Sequence, residues 1–149
     1  TSEIVVTTTA PEPTSVPPVP TDNKSIKTKY GREIYKNNGT EFVILQANES
    51  MFMLSKKFSI PVWKLFYYND FNPGQPLEAG DIIYLGTKKN KAEKPFVTHK
   101  VTNGETFHSI SQLYGIKVEN IARLNNANKD NKLQQGTNIY IRKNITIFE

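Results

Sequence analysis

Along residues 96–142 the spacing of apolar positions changes twice, and each change marks a structural element. Phe96, Val97 and Val101, with Thr98 between them, read as a short strand that ends in a turn at Asn103-Gly104. Ile110, Leu113 and Tyr114 then fall at helical spacing. Thr106 stands where its hydroxyl can accept a free backbone N–H at the start of that helix, and Gly115 can take the left-handed conformation that ends it. Val118, Ile121 and Leu124 form the stripe of a second helix. A polar loop over 125–136 leads to a closing strand, Asn138-Ile139-Tyr140-Ile141-Arg142. The predicted order is β-α-α-β.

The same order recurs upstream. Shifting the chain by 56 positions lays residues 43–86 on 99–142 without a gap. Ten pairs are then identical: Glu49/Glu105, Ser55/Ser111, Ile60/Ile116, Val62/Val118, Asn69/Asn125, Asn72/Asn128, Leu77/Leu133, Gly80/Gly136, Ile83/Ile139 and Tyr84/Tyr140. An internal repeat of this kind predicts two copies of one small unit. The first copy reads as strand Phe42-Val43-Ile44-Leu45, cap Ser50, inward Leu54 and Phe58, Pro61 near the start of the second helix, and strand Ile82-Ile83-Tyr84-Leu85. The expected fold is α+β: two β-α-α-β modules, each with a two-stranded antiparallel sheet and two helices on one face. The expected organisation is a disordered Pro/Thr-rich tether over 1–29, a flanking segment over 30–40 that packs on module 1, module 1 over 41–86, a Lys-rich linker over 87–95, module 2 over 96–143 and a tail over 144–149. Units this small bury a minimal core and need mutual or flanking support.

Composition narrows the chemistry. Residues 1–20 are rich in proline and threonine without aromatics, too little apolar surface to offset chain entropy. The absence of cysteine removes disulfides, thiolate metal sites and cysteine nucleophiles. His99 and His108 have no local acidic cluster, so no metal and no cofactor are expected. The formal net charge is +5, with lysines concentrated in 24–29 and 88–94, which reads as solvated linkers. No ordered basic surface interleaved with aromatics is visible, so nucleic acid is not an expected partner. The charge does permit weak attraction to anionic wall polymers. No apolar run is long enough for membrane insertion, and 1–9 lacks the regions of a signal peptide and a starting methionine, so any export signal or anchor is expected upstream.

The two copies differ on the outward face of their second helix: Trp63, Phe66 and Tyr67 in copy one, Glu119, Ala122 and Arg123 in copy two. Those aromatics either pack on the flanking Ile34-Tyr35 or on the other module, or form a second carbohydrate-stacking surface.

The run from His99 through Gly104-Glu105-Thr106-Phe107, Tyr114-Gly115-Ile116, Leu124-Asn125, Leu133, Gly136 and Ile139-Tyr140-Ile141 resembles the LysM family along its whole length. Copy one is similar but degenerate, with Asn48-Glu49-Ser50 in place of Gly104-Glu105-Thr106 and Ser59 in place of Gly115. The segment Arg32-Glu33-Ile34-Tyr35-Lys36-Asn37-Asn38-Gly39 resembles the stretch preceding LysM repeats in wall-associated glucosaminidases of the Bacteroides kind. The resemblance implies a non-catalytic monomer of the cell envelope, periplasmic or extracellular, that binds N-acetylglucosamine polymers, peptidoglycan or chitin, as the targeting region of a larger hydrolase with its catalytic domain upstream.

The implied groove lies between the first strand–helix loop and the loop before the last strand. An acetamido group suits exposed loop amides beside a small apolar wall. The implied contacts are Gly104, Glu105, Thr106, Phe107, Asn125, Asn126, Ala127, Asn128 and Leu133. Their equivalents in module 1 are Asn48, Glu49, Ser50, Met51, Asn69, Asp70, Phe71 and Asn72. Glu105 and Asn126 have no evident packing task and rank first. Thr106 and Asn125 read first as a helix cap and a helix terminator. The carboxylates Glu49, Asp81, Glu105 and Asp130 form no acid/base pair, so catalysis is not expected. The alternative is a scaffold that keeps the fold and binds a protein through the copy-one aromatics.

Overall fold

The computed structural model describes residues 5–6, 25–72, 74–92 and 97–142. Residues 1–4 and 7–24 of the expected Pro/Thr-rich tether, 93–95 of the expected Lys-rich linker, the end positions 96 and 143 of the expected second module and the expected tail 144–149 lie outside the described residues. The chain divides into two units, Val19–Lys89 and Asn90–Glu149 together with Thr1–Pro18.

The Val19–Lys89 unit is built on a four-stranded antiparallel sheet in the order β2-β3-β4-β5: β2 Lys27–Lys29, β3 Arg32–Asn37, β4 Thr40–Ile44 and β5 Ile82–Tyr84. A two-stranded sheet with a merely packed flanking segment was expected here. Instead the flanking segment supplies β3, and Lys27–Lys29, assigned by composition to the tether, supplies β2. The reason is local turn chemistry. Asn38-Gly39 joins β3 to β4 with both residues at positive φ, 52° and 81°, and Tyr30-Gly31 joins β2 to β3 in the same way, at 53° and 75°. Two-residue turns of this hand match the twist of paired strands.

Between β4 and β5 lie α1 Met51–Phe58 and α2 Val62–Asn69. Ser50 caps α1 by accepting from the Met53 N–H, and Ser59 ends it at φ 56°, the position glycine holds in the other copy. Ile34, Val43, Leu45, Met51, Leu54, Leu65, Phe71 and Ile83 form the core. Phe42 and Tyr84, both fully buried, meet edge to face at 5.5 Å, and Tyr35 stacks on Phe42 at 5.3 Å.

In the Asn90–Glu149 unit, β6 Thr98–Lys100 pairs antiparallel with β8 Asn138–Tyr140, and α3 Phe107–Tyr114 and α4 Val118–Leu124 lie between them in sequence. Thr106 and Ser109 make a reciprocal capping box at the start of α3, and Gly115 ends it at φ 71°. The core gathers Val101, Phe107, Ile110, Tyr114, Ile116, Val118, Ile121, Ile139 and Ile141, joined by Ala92 from the expected linker. The short β7 Lys132–Leu133 pairs in parallel with β1 Val5–Val6. The strand–helix–helix–strand order is thus present in both units, and no helix among the described residues is long and apolar enough to cross a membrane.

One asparagine in each unit locks the helices to the closing strand. Asn125, at the end of α4, donates from Nδ2 to the Ile121 and Tyr140 carbonyls, both at 2.8 Å, and its Oδ1 accepts from the Tyr140 N–H at 2.8 Å. Asn69, at the end of α2, makes the same three bonds to Leu65 and Tyr84, at 2.8, 3.0 and 2.7 Å. A side-chain amide that offers two donors and an acceptor is the group that can satisfy a strand N–H and C=O together.

Candidate functional site

The first loop of the implied site, 101–106, leaves β6 and is pinned at its start: Val101 donates to the Thr137 carbonyl and accepts from Gly136 N–H, both at 2.8 Å. Gly104 turns the chain at φ 85°, is exposed, and a Cβ placed there would meet nothing, so backbone conformation rather than space asks for glycine. Glu105 points back under the loop. Its Oε1 accepts from the Thr102 N–H and from His99 Nε2, each at 2.8 Å. Tyr114 OH lies 2.8 Å from the other ring nitrogen, Nδ1, so one imidazole bridges the loop carboxylate and the phenol.

Burial pushes the Glu105 carboxyl up, but the hydrogen bonds from His99 and Thr102, with the charge on His99, outweigh it and hold the group below the usual range. Burial, with the Glu105 charge, pushes the Tyr114 phenol up. Glu105 therefore has a structural task that its exposed position in the sequence does not reveal. Because its folded pKa lies below the unfolded value, its stabilisation is complete above the ordinary glutamate range near pH ~4.3 and disappears as pH falls through the depressed value. Thermal melts between neutral and acid pH are expected to lose stability at the acid end in the wild type, and less steeply in Glu105→Gln. Equal acid limbs in the two proteins would show that the carboxylate is not responsible.

The remaining candidates separate by burial. Thr106 is exposed but its hydroxyl is engaged in the capping box, and Phe107, expected as an apolar wall, is fully buried in the core. Asn125 is the clamp. Asn126 is exposed at φ 54°, and Asn128 is exposed with its Oδ1 accepting from the Asp130 N–H at 3.0 Å. Ala127 and Leu133 are half-buried against the core, and Leu133 also pairs with Val6. The groups left facing solvent are thus the Gly104 backbone and the Asn126 and Asn128 side chains, with Ala127 and Leu133 as the accessible apolar surface.

In the other unit the equivalent positions are mostly occupied from within. Glu49 forms a buried ion pair with Arg32 of β3 and also accepts from the Gln46 N–H at 2.9 Å. Arg32 in turn donates to the Ile44 carbonyl at 2.7 Å. Asp70 binds Lys88 Nζ at 2.8 Å, and the Lys88 side chain is 0% exposed, not solvated as its place in a lysine-rich stretch suggested. Burial pulls the Lys88 ammonium below the usual lysine range, against the opposing pull of Asp70. Met51 and Phe71 belong to the core, Asn69 is the clamp and Ser50 the cap. Asn48, at φ 63° in place of Gly104, and Asn72 stay exposed.

Sequence reasoning missed His99, Arg32 and Lys88 as partners of loop carboxylates. The only available signal was that a carboxylate recurs at 49 and 105 in otherwise polar turns. On the second helix of the first unit, Trp63 and Tyr67 are 64% and 66% exposed, while Phe66 is half-buried against the core. Packing on Ile34-Tyr35 therefore does not hold for Trp63 and Tyr67.

Comparison with curated proteins gives no match. Among solved structures, the spore cortex-lytic enzymes SleL of Bacillus megaterium QM B1551 and Bacillus cereus are similar to this chain at 20% and 24% identity, with TM-scores of 0.31 and 0.30. Each likeness covers 70% of this chain and 23% of the enzyme chain, so the chain spans less than a quarter of those enzymes' length. The LysM domain family matches residues 99–142, from the histidine that holds Glu105 to the end of the closing strand. Within the Asn90–Glu149 unit, residues 99–142 are thus similar to a LysM domain.

Proposed function

We propose that this chain binds N-acetylglucosamine-containing polymers, peptidoglycan foremost and chitin by the same chemistry, and serves as the wall-targeting part of a larger envelope hydrolase. The observation that carries the reading is the family match over 99–142, which coincides with the whole β6–β8 frame and its two solvent-facing loops. Contact falls to the Gly104 backbone, Asn126 and Asn128, with Ala127 and Leu133 beneath the acetamido methyl. Glu105 and Thr106 hold the first loop in shape, and Asn125 and Phe107 hold the frame. The Val19–Lys89 unit is a second, degenerate module of the same kind, in which Arg32 and Lys88 occupy the groups that would otherwise meet sugar.

Sedimentation of the purified chain with insoluble peptidoglycan and with chitin tests this, beside an Asn126→Ala, Asn128→Ala double variant whose melting temperature is checked first. Two surface amides each contributing about 1 kcal/mol predict a loss of about tenfold or more in affinity. A wild-type chain that sediments with neither polymer would overturn the reading in favour of a scaffold. A folded double variant that binds like the wild type would place the contact elsewhere.

A further inference from the structure

The outer surface of the α1–α2 pair has no counterpart in the other unit. Trp63 and Tyr67 stand four apart on α2 and share one face, and Phe52 and Met53 of α1 are 60% and 52% exposed. Phe52, Met53, Lys56 and Lys57 line a shallow depression. At the matching positions the second copy has His108, Ser109, Glu119 and Arg123, so the fold itself does not require aromatics there.

Charge on this surface is one-sided. From Met51 to Asn69 the sequence contains Lys56, Lys57 and Lys64 and no acidic residue. Two of these lysines sit directly over the rings: Lys56 Nζ is 5.2 Å from the Phe52 centroid and Lys64 Nζ 5.9 Å from that of Trp63. Exposed aromatic rings with ammonium groups over them complement a ligand that presents flat C–H faces and negative charge together.

We propose that this face binds an anionic glycan strand, with pyranose rings stacking on Trp63 and Tyr67 and carboxylates of the polymer meeting Lys56, Lys57 and Lys64. The inference rests on the glycan-binding reading for the nature of the polymer, but it names a different surface from the loops of the LysM domain. It gives the first unit a role although its own loop carboxylates are tied to Arg32 and Lys88. Two surfaces on one chain gain from effective concentration on a polymer.

Trp63 is the single tryptophan of the chain, so its fluorescence reports this face without a label. Soluble peptidoglycan fragments that keep their stem-peptide carboxylates are expected to shift Trp63 emission to the blue, and added salt to weaken the effect. In the full chain, Trp63→Ala with Tyr67→Ala is expected to keep the wild-type melting temperature and to bind insoluble peptidoglycan about tenfold more weakly. Binding to neutral chitin through the LysM domain is expected to remain. Emission unchanged at saturating fragment, or a double variant with wild-type affinity for peptidoglycan, would overturn the proposal. So would emission that shifts only with phosphatidylglycerol vesicles, which would make the face lipid-binding. A fragment-induced Trp63 shift in a chain that ignores chitin would support this proposal while removing the reading of the LysM loops.

Discussion

Asn125→Ala is expected to destabilise the Asn90–Glu149 unit by about 3 kcal/mol, a large fraction of the stability of so small a domain. The substitution removes three hydrogen bonds at once and strips partners from the Tyr140 N–H and carbonyl and the Ile121 carbonyl. Leaving buried backbone groups unsatisfied costs more than the bonds themselves contribute. Asn125→Asp separates the parts: it keeps the acceptor for Tyr140 N–H but loses both donors, so it should fall between alanine and wild type at neutral pH. Asn69→Ala should do the same to the other unit, while Asn126→Ala, one residue beyond the clamp and exposed, should change stability by less than about 0.5 kcal/mol. Chemical denaturation of the four variants checks the series. An Asn125→Ala protein that melts like the wild type would show that the clamp does not hold the frame. A binding loss in that variant would report unfolding, not a sugar contact, which is why the binding test uses Asn126 and Asn128.

Asp70→Ala is expected to cost the Val19–Lys89 unit about 3 kcal/mol, because it leaves the fully buried Lys88 ammonium without its carboxylate. Lys88→Met should be close to neutral, since it removes the buried charge, fills similar volume, and leaves Asp70, whose side chain is 23% exposed, in reach of water. The double variant should then resemble Lys88→Met, giving a strong coupling in a double-mutant cycle. Burial already holds the Lys88 ammonium below the usual lysine range, and losing Asp70 removes an interaction that opposes this. In Asp70→Ala the folded state therefore gains relative to the unfolded one as pH rises toward the lysine range, where the buried amine sheds its proton first. Denaturation at neutral and alkaline pH measures both effects. Equal penalties for Asp70→Ala and Lys88→Met would mean that the ammonium is hydrated after all.

The two units share the strand–helix–helix–strand order but hold their loop carboxylates differently. Both keep a glutamate under the first loop, but it is held by His99 from the neighbouring strand in one and by Arg32 from an added strand in the other. Both carry a residue at positive φ after the second helix, Asn126 at 54° and Asp70 at 55°. The amide is open to solvent and the carboxylate is drawn to Lys88. Lys88, the partner of Asp70, lies eighteen residues further along the chain.

The sequence by itself determined the strand–helix–helix–strand order, the caps Ser50 and Thr106, the left-handed helix end at Gly115, and the inward stripes. These depend on spacing and on interactions between residues a few positions apart, which a linear chain displays directly. It also marked residues 99–142 as LysM-like through local motifs. Only the tertiary structure decided that Lys27–Lys29 and Arg32–Asn37 extend the first sheet, that Phe107 belongs to the core, and that Glu49, Asp70 and Glu105 are tied to Arg32, Lys88 and His99. Whether Trp63 and Tyr67 face water was decided there too. Such facts turn on which distant side chains meet, and a charge in a polar turn reads the same in sequence whether it faces solvent or a buried partner.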